Sequence, residues 1–534
     1  MALSLRRTSN RAREFILTRT YSFDRLNRYL RQLVLFVYRF SALRLSSFCI
    51  HLLYFVSLAF LGSLAMVLLK PSDHSFSPSY VDMLFMSTSA LTVSGLGTVE
   101  TERLSSAQLA VLTLLMFVGG EAFVTLLGLL LRRTSENDKR EASAVRVDAV
   151  SVELEAADPS RVVTIDSIEP ADGSVAMAEE KDLRSSCIRW LRYIVSSYIA
   201  TFHLFGTSLL LVYIYRVSHA RDILRKKGIN VFLFSLSTTV SSFANGGLIA
   251  TNENMAAFNR DPTMLLLMIA QVLAGNLLFP LFLRLAIWTL KRITKREEFR
   301  HMLKSTSETR FSPLLPGKQT SYLSLTVVGL MTALLVMFCS MDWNGAVFDG
   351  LNSFEKIVAA LFMAVNSRHA GENSIDPSLI SPAVLVFIIV MMYLPPSATF
   401  LPAEEDDTSS DGIKQQNKKK SWVQNLLLTQ LSCIVVFIVL VCIIERRKMR
   451  RDPLNFSSLN MIFEVTSAYG NVGFSTGYSC SRLMKLHPEA GCQDKPYSFV
   501  GWWTDESKIL LATVMLYGRL KKFSAQDGKA WRLY

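Results

Sequence analysis

Long apolar runs alternate along this chain with short, half-apolar segments that break at glycine, and the pattern occurs four times. Runs long enough to cross a bilayer, which takes about 20 residues, lie near 46–69, 107–131, 190–214, 264–290, 321–341, 379–402, 424–444 and 507–523. After the first, third, fifth and seventh comes a segment too short to cross. These read MLFMSTSALTVSGLGTVE (83–100), FLFSLSTTVSSFANGGLIATNEN (232–254), ALFMAVNSRHAGENS (360–374) and MIFEVTSAYGNVGFSTGYS (461–479). Each opens with a Phe-containing stretch of helical length and then breaks at Gly among small or polar residues. The repeating unit is therefore span, half-helix, Gly loop, span. Its glycines Gly95, Gly247, Gly371 and Gly473 are spaced 152, 124 and 102 residues apart, unlike the fixed short period of a soluble solenoid.

Composition agrees with that pattern. Hydrophobic residues make up 50% of the 534 and charged residues only 19%, against about a quarter charged in soluble domains. This excludes a disordered chain and argues against a purely soluble enzyme. The net charge of +13 comes from basic residues that flank apolar spans, with no nucleic-acid-binding motif. The first 45 residues hold ten Arg and no Lys. They read as a cytoplasmic anchor before the first span, with a transit peptide as the competing reading. Eight spans place both termini on one side, the cytoplasm, together with Arg132–Arg133, Lys291 to Arg310 and Lys418–Lys420. Two basic segments then fall outside against the rule: Arg221, Arg225, Lys226 and Lys227, and Arg446 to Arg451.

The expected organisation is an Arg-rich arm (1–45), repeat A (46–131), an acidic loop (132–185), repeat B (186–290), a basic loop (291–320), repeat C (321–402), a charged loop (403–421), repeat D (422–523) and a C-terminal tail (524–534). The acidic and charged loops read as solvated. The seven Cys residues show no zinc spacing. Cys480 and Cys492 sit in a polar stretch, where a disulfide and two free thiols both remain open.

Irregular backbone at membrane depth is tolerated only when buried in protein or lining a water-filled path. Four such loops imply a pore between four units. A half-helix that enters partway aims its partly negative carbonyl end at that pore, which favours cations. Beyond it, backbone carbonyls can replace an alkali cation's hydration shell. Glycine suits the task because it reaches positive φ and turns successive carbonyls inward. These loops thus point to conduction of monovalent cations.

TVSGL (92–96), FANGG (243–247), NSRHAGE (366–372) and SAYGNVGFSTGYSC (467–480) resemble the four filter loops of Trk/Ktr/HKT cation transporters. NSRHAGE, TNENM (251–255), MMYLPP (391–396) and GRLKKF (518–523) resemble the plant HKT branch in particular. The resemblance runs from about residue 46 onward. It implies an all-α membrane protein of eight transmembrane helices, with four M1–P–M2 units (span, pore half-helix, span) around a pseudo-fourfold pore. It also implies Na⁺ and K⁺ uptake at the plasma membrane without ATP hydrolysis or a cofactor, and a homodimer. The implied filter residues are Gly95, Gly247, Gly371 and Gly473, flanked by Thr92, Val93, Ser94, Ala244, Asn245, Gly246, His369, Ala370, Asn471 and Val472. In this branch a Ser at the first position accompanies Na⁺-selective uniport, and Gly accompanies K⁺ permeation, often with Na⁺–K⁺ symport. Gly95 therefore implies K⁺ permeation alongside Na⁺. The second loop departs from the common NCG by reading NGG at 245–247.

Lys508 and Arg519 lie eleven residues apart on the last span, so they share roughly one helix face. The resemblance implies that a basic residue of this helix stands below the filter. Arg519 is the candidate, with a cytoplasmic anchor as the other reading; Lys508 faces the pore or snorkels to the outer interface. Glu100, Glu102 and Glu253 follow the first two loops and attract cations or are merely solvated. GFSTG (473–477) matches a nucleophile elbow but lacks the strand–turn–helix context. His369 and Glu372 are too few for a metal and read as a loop-stabilising pair. Asn455 begins a glycosylation sequon too close to the membrane for use. A Na⁺-selective uniporter, and a membrane scaffold or receptor with non-conducting loops, are the alternatives.

Overall fold

The computed structural model describes residues 47–71, 76–130, 172–304, 314–394, 430–487, 489 and 491–524. The Arg-rich arm, most of the acidic loop, the 403–421 loop and nearly all of the C-terminal tail lie outside them. Among the described residues every regular element is helical.

The first unit comprises α1 (Ser47–Leu68), α2 (Tyr80–Leu91), α3 (Ser106–Gly119) and α4 (Glu121–Leu130). The second comprises α5 (Asp172–Arg216), the short α6 (Ser218–Lys226), α7 (Val231–Ala244), α8 (Pro262–Val272) and α9 (Phe279–Thr294). After α10 (Glu297–Lys304), the third unit runs through α11 (Gly317–Met337), α12 (Ser353–Asn366) and α13 (Pro382–Tyr393). The fourth runs through α14 (Gln430–Ile444), α15 (Arg446–Arg451), α16 (Ser458–Gly470), α17 (Cys480–Leu486) and α18 (Asp505–Ser524).

The four half-helices α2, α7, α12 and α16 have 12, 14, 14 and 13 residues. At 1.5 Å per residue each spans about 20 Å, short of a hydrocarbon core about 30 Å thick. Each begins at a residue suited to capping. The side chains of Ser79, Asn230 and Ser457 accept hydrogen bonds from the first-turn N–H groups of Asp82, Phe232 and Leu233, and Asn460. At Asn352 the Glu355 carboxylate accepts from the backbone N–H at 2.8 Å. These caps satisfy donors that a helix start leaves open. The outer turns differ in exposure, but the last turns are wholly buried.

Packing closes the four units into a ring. Each half-helix lies against the incoming helix of its own unit and also against the outgoing helix of the unit before it: α7 on α3, α12 on α8, and α16 on α13. The circle completes where α2 of the first unit packs on α18 of the fourth. Large apolar side chains such as Leu61, Leu64 and Leu68 of α1 remain exposed on the perimeter, where lipid would cover them.

Three described helices are long and apolar enough to cross a membrane unbroken: Phe48–Leu68, Ser185–Arg216 and Gly317–Asp342. The runs expected as continuous spans at 107–131 and 264–290 are instead bent, by 60° between α3 and α4 and by 88° between Pro262–Leu277 and Phe279–Thr294. A close backbone approach accompanies both bends, and Pro280, which has no N–H for the preceding turn, stands at the start of α9. A Cβ on Gly119 would overlap the carbonyl oxygen of Leu91, and one on Gly275, inside a π-helical turn over Leu273–Leu277, would overlap that of Phe243. Leu91 and Phe243 each lie four residues before a loop glycine, so the outgoing helix presses on the end of its own half-helix. Gly518 of α18 meets the Tyr469 carbonyl in the same way, here without a break. The described parts of the runs at 379–402 and 424–444 are α13 and α14, which border residues outside the described set.

Candidate functional site

All four half-helices end toward one point. Gly95, Gly247, Gly371 and Gly473 have φ of 72°, 69°, 64° and 107°, a region that favours glycine. Their neighbours form a closed circuit. A Cβ on Gly95 would stand 3.2 Å from the carbonyl oxygen of Gly246, and one on Gly247 would stand 2.8 Å from that of Ala370. A Cβ on Gly371 would overlap the Val472 oxygen, and one on Gly473 would stand 2.7 Å from that of Ser94. Each glycine thus faces the carbonyl just before the glycine of the next unit. Any side chain would fill that space. Four carbonyl ends of helices meet there, giving a local negative potential.

The entry to each glycine is built alike in three loops. Val93, Asn245 and Asn471, each two residues before the glycine, hold left-handed backbone with φ of 51°, 61° and 52°. Asn tolerates that region; a β-branched Val there is a strained exception. His369 occupies the corresponding place in the third loop, buried and with φ outside that region. Ser94, Ala370 and Val472 are fully buried, while Ala244 packs with its Cβ region against Gly120.

Above the ring opens a cavity of about 710 Å³ lined from all four units, among them Thr101, Asn254, Asp376 and Asp494. Glu253 and Lys495 also line it. Glu102 and Glu253 are engaged: the Lys227 ammonium donates to them at 2.6 and 2.5 Å, and Glu100 pairs with Arg103. Partial burial pulls the Lys227 pKa down, but the two carboxylates outweigh it and the net shift is upward. The basic segments that broke the positive-inside pattern are α6, ending next to Lys227, and α15. Both join an incoming helix to its half-helix, and so sit on the cavity side. Lys448 of α15 bonds the Trp502 carbonyl at 2.6 Å.

Lys508 and Arg519 lie on the face of α18 that meets the first unit. The Lys508 ammonium donates to Asp82 at 2.8 Å and to Asp505 at 3.4 Å, at the cavity end. Arg519 is fully buried and donates to the Gly119 carbonyl at the α3–α4 bend. Cys480 and Cys492 are joined by a disulfide that clasps α17 to the loop returning toward the cavity. Glu372 accepts from the Ser242 hydroxyl at 3.0 and 3.1 Å, linking the third loop to the half-helix of the second unit. Among the described residues no three His, Cys, Asp or Glu could hold a metal. Ser475 of the GFSTG match accepts from the Phe499 N–H at 2.8 Å and serves as a brace. The Asn455 amide donates to Asp452 and to the Ser479 carbonyl, both at 2.9 Å, and the residue is buried, which leaves the sequon unavailable.

Sequence reasoning missed Ser498, whose hydroxyl accepts from the Gly97 N–H at 2.9 Å while its own N–H donates to the Gly97 carbonyl at 3.0 Å. It also missed Gly119, Gly275 and Gly518. Their only signal was glycine inside otherwise apolar runs, which helix propensity disfavours by about 1 kcal/mol each.

A family model described as a cation transport protein, TrkH, matches residues 169–492. The chain is 45% identical over 486 residues to Cation transporter HKT2;4 of Oryza sativa subsp. japonica, covering 90% of this chain and 93% of that one. It is 40% identical over 478 residues to Sodium transporter HKT1 of Arabidopsis thaliana, covering 88% and 92%. The potassium transporter TrkH of Vibrio parahaemolyticus superposes with a TM-score of 0.49 at 14% identity, covering 90% of this chain and 84% of that one.

Proposed function

The chain belongs to the HKT cation transporters within the TrkH family, and from that premise we propose that it carries Na⁺ and K⁺ through the ring of four glycines. It is a multi-pass membrane protein and not an enzyme. The observation that carries the reading is the closed circuit in which each loop glycine faces the carbonyl of the next loop. An alkali cation entering from the 710 Å³ cavity meets peptide oxygens rather than side chains. Dehydration is offset there by carbonyl dipoles and by four converging helix ends.

Gly95, Gly247, Gly371 and Gly473 form the selectivity filter in this reading, with their flanking residues as its walls. Gly95 leaves room that Ser would take. A Cβ there would lie 2.9 Å from the Gly473 Cα and 3.1 Å from the Gly247 Cα. K⁺ permeation together with Na⁺, including Na⁺–K⁺ symport, follows from the open ring. The chain sits in the plasma membrane with both termini cytoplasmic and the cavity outward, organised as four repeats in the order A to D. It works as a homodimer with one pathway per protomer.

Voltage-clamp recording in mixed Na⁺ and K⁺ solutions tests this. Wild type passes inward current that depends on external K⁺, and Gly95→Ser lowers K⁺ relative to Na⁺ permeability. A current indifferent to K⁺ in both forms means a Na⁺-selective uniporter. Gly473→Val abolishes flux while the protein still reaches the surface; undiminished flux would mean that the loops merely pack.

A further inference from the structure

A single hydrogen-bonded relay runs from the first half-helix through two loops to the last helix. The Asn471 amide nitrogen donates to the Ser94 hydroxyl at 2.9 Å and to the Met515 carbonyl of α18 at 2.9 Å. Ser94 Oγ lies 2.8 Å from Thr92 Oγ1, and Thr92 Oγ1 donates to the Thr88 carbonyl at 2.7 Å. Donor order follows. Asn471 spends both amide hydrogens on these two, with the Ala468 carbonyl farther off at 3.4 Å, Ser94 then gives its hydrogen to Thr92, and Thr92 gives its own to Thr88. Every hydrogen of the three side chains is placed.

We infer that Asn471, acting through Ser94 and Thr92, is a positioning residue that sets how tightly the first and fourth loops are held, and hence how the pathway discriminates K⁺ from Na⁺. The inference deepens the filter reading and rests on it. Three observations carry it. The Ser94 carbonyl is the one that faces Gly473, so a shift of Ser94 moves a ring oxygen. Thr92, Ser94 and Asn471 are at most 1% exposed, so water cannot replace a lost partner. Asn245 holds the equivalent place in the second loop with the same left-handed backbone, yet among the described residues its amide has no hydrogen-bond partner. Backbone conformation alone thus explains Asn245 but leaves the bonds of Asn471 to Ser94 and Met515 unaccounted for.

A ring held at a fixed span keeps its carbonyls from closing onto the smaller ion. Loosening one side lets them follow Na⁺ inward, so discrimination falls. The effect should match the loss of about one neutral hydrogen bond, or about fivefold in permeability ratio.

The experiment is recording of reversal potentials at several Na⁺ and K⁺ concentrations, with surface protein quantified. Ser94→Ala and Thr92→Val should each move the K⁺-to-Na⁺ permeability ratio about fivefold toward Na⁺. Ser94→Thr, which retains a hydroxyl, should recover the wild-type ratio. Asn471→Gly, which keeps the backbone region, should move the ratio likewise, and Ser94→Ala added to it should change nothing more. Unchanged ratios in conducting Ser94→Ala and Thr92→Val proteins overturn the inference. If Ser94→Ala fails to reach the surface, Thr92→Val alone decides. Gly473→Val recorded in parallel separates the two claims. If it conducts, the filter reading is lost; if it is silent while the relay variants keep their ratio, only the relay is.

Discussion

The first and fourth loops meet through neutral groups, whereas the second and third meet through a carboxylate. At the first seam Asn471, Ser94 and Thr92 form a chain of amide and hydroxyl bonds. Lys508–Asp82 lies on its cavity side and Arg519–Gly119 on its far side. At the second seam Glu372 and Ser242 stand fully buried. The ring looks fourfold along its backbone, yet its joints are chemically unlike. The first seam joins parts of the chain hundreds of residues apart and is bonded at three depths. The second joins consecutive units, already tethered by the chain, and holds the buried Glu372–Ser242 bond.

That contrast can be broken most forcefully at Glu372. Glu372→Ala leaves the Ser242 hydroxyl without its acceptor and opens a void, destabilising the second seam by about 3 kcal/mol. Na⁺ and K⁺ currents and surface protein should fall together. Glu372→Gln still offers an oxygen to Ser242 and should retain most of both; equal loss in the two variants would mean that the charge itself matters. At the first seam, Lys508→Met strands a nearly buried Asp82 and should lower stability by about 2 kcal/mol. Adding Asp82→Leu should recover at least half, measured by thermal unfolding in detergent. A double variant worse than the single would show that the pair contributes more than mutual neutralisation. The mildest test is Lys227→Met at the cavity rim. Its bridge to Glu102 and Glu253 is partly solvated and should be worth less than about 1 kcal/mol, with an effect on current that shrinks at high ionic strength.

The four loops were legible because Gly within small and polar residues interrupts an apolar pattern, and nothing else in the chain does so four times. Helix type and membrane character followed from run length. The bends at Gly119–Gly120 and after Leu277 were not legible. A straight and a broken helix share one hydropathy trace, and the carbonyls of Leu91 and Phe243 that press on Gly119 and Gly275 come from other elements. Lys508 and Arg519 share a face by their spacing, and both bond to the first unit. Their partners, 426 and 400 residues away in sequence, are fixed only by ring closure. Glu372 drew attention as half of a pair with His369, a neighbour in sequence, and it also holds the Ser242 hydroxyl of the preceding unit. Local spacing finds which residues matter and misses what they hold.

The ring's closure by α18 against α2 also governs the order in which the molecule can be made. A nascent polypeptide that has delivered three units and the fourth half-helix still has a gap on one side, with Asp82 and the Gly119 carbonyl awaiting Lys508 and Arg519 of α18. The last helix is a keystone. Until it is in place, the ring of four units stays open between the first and the fourth.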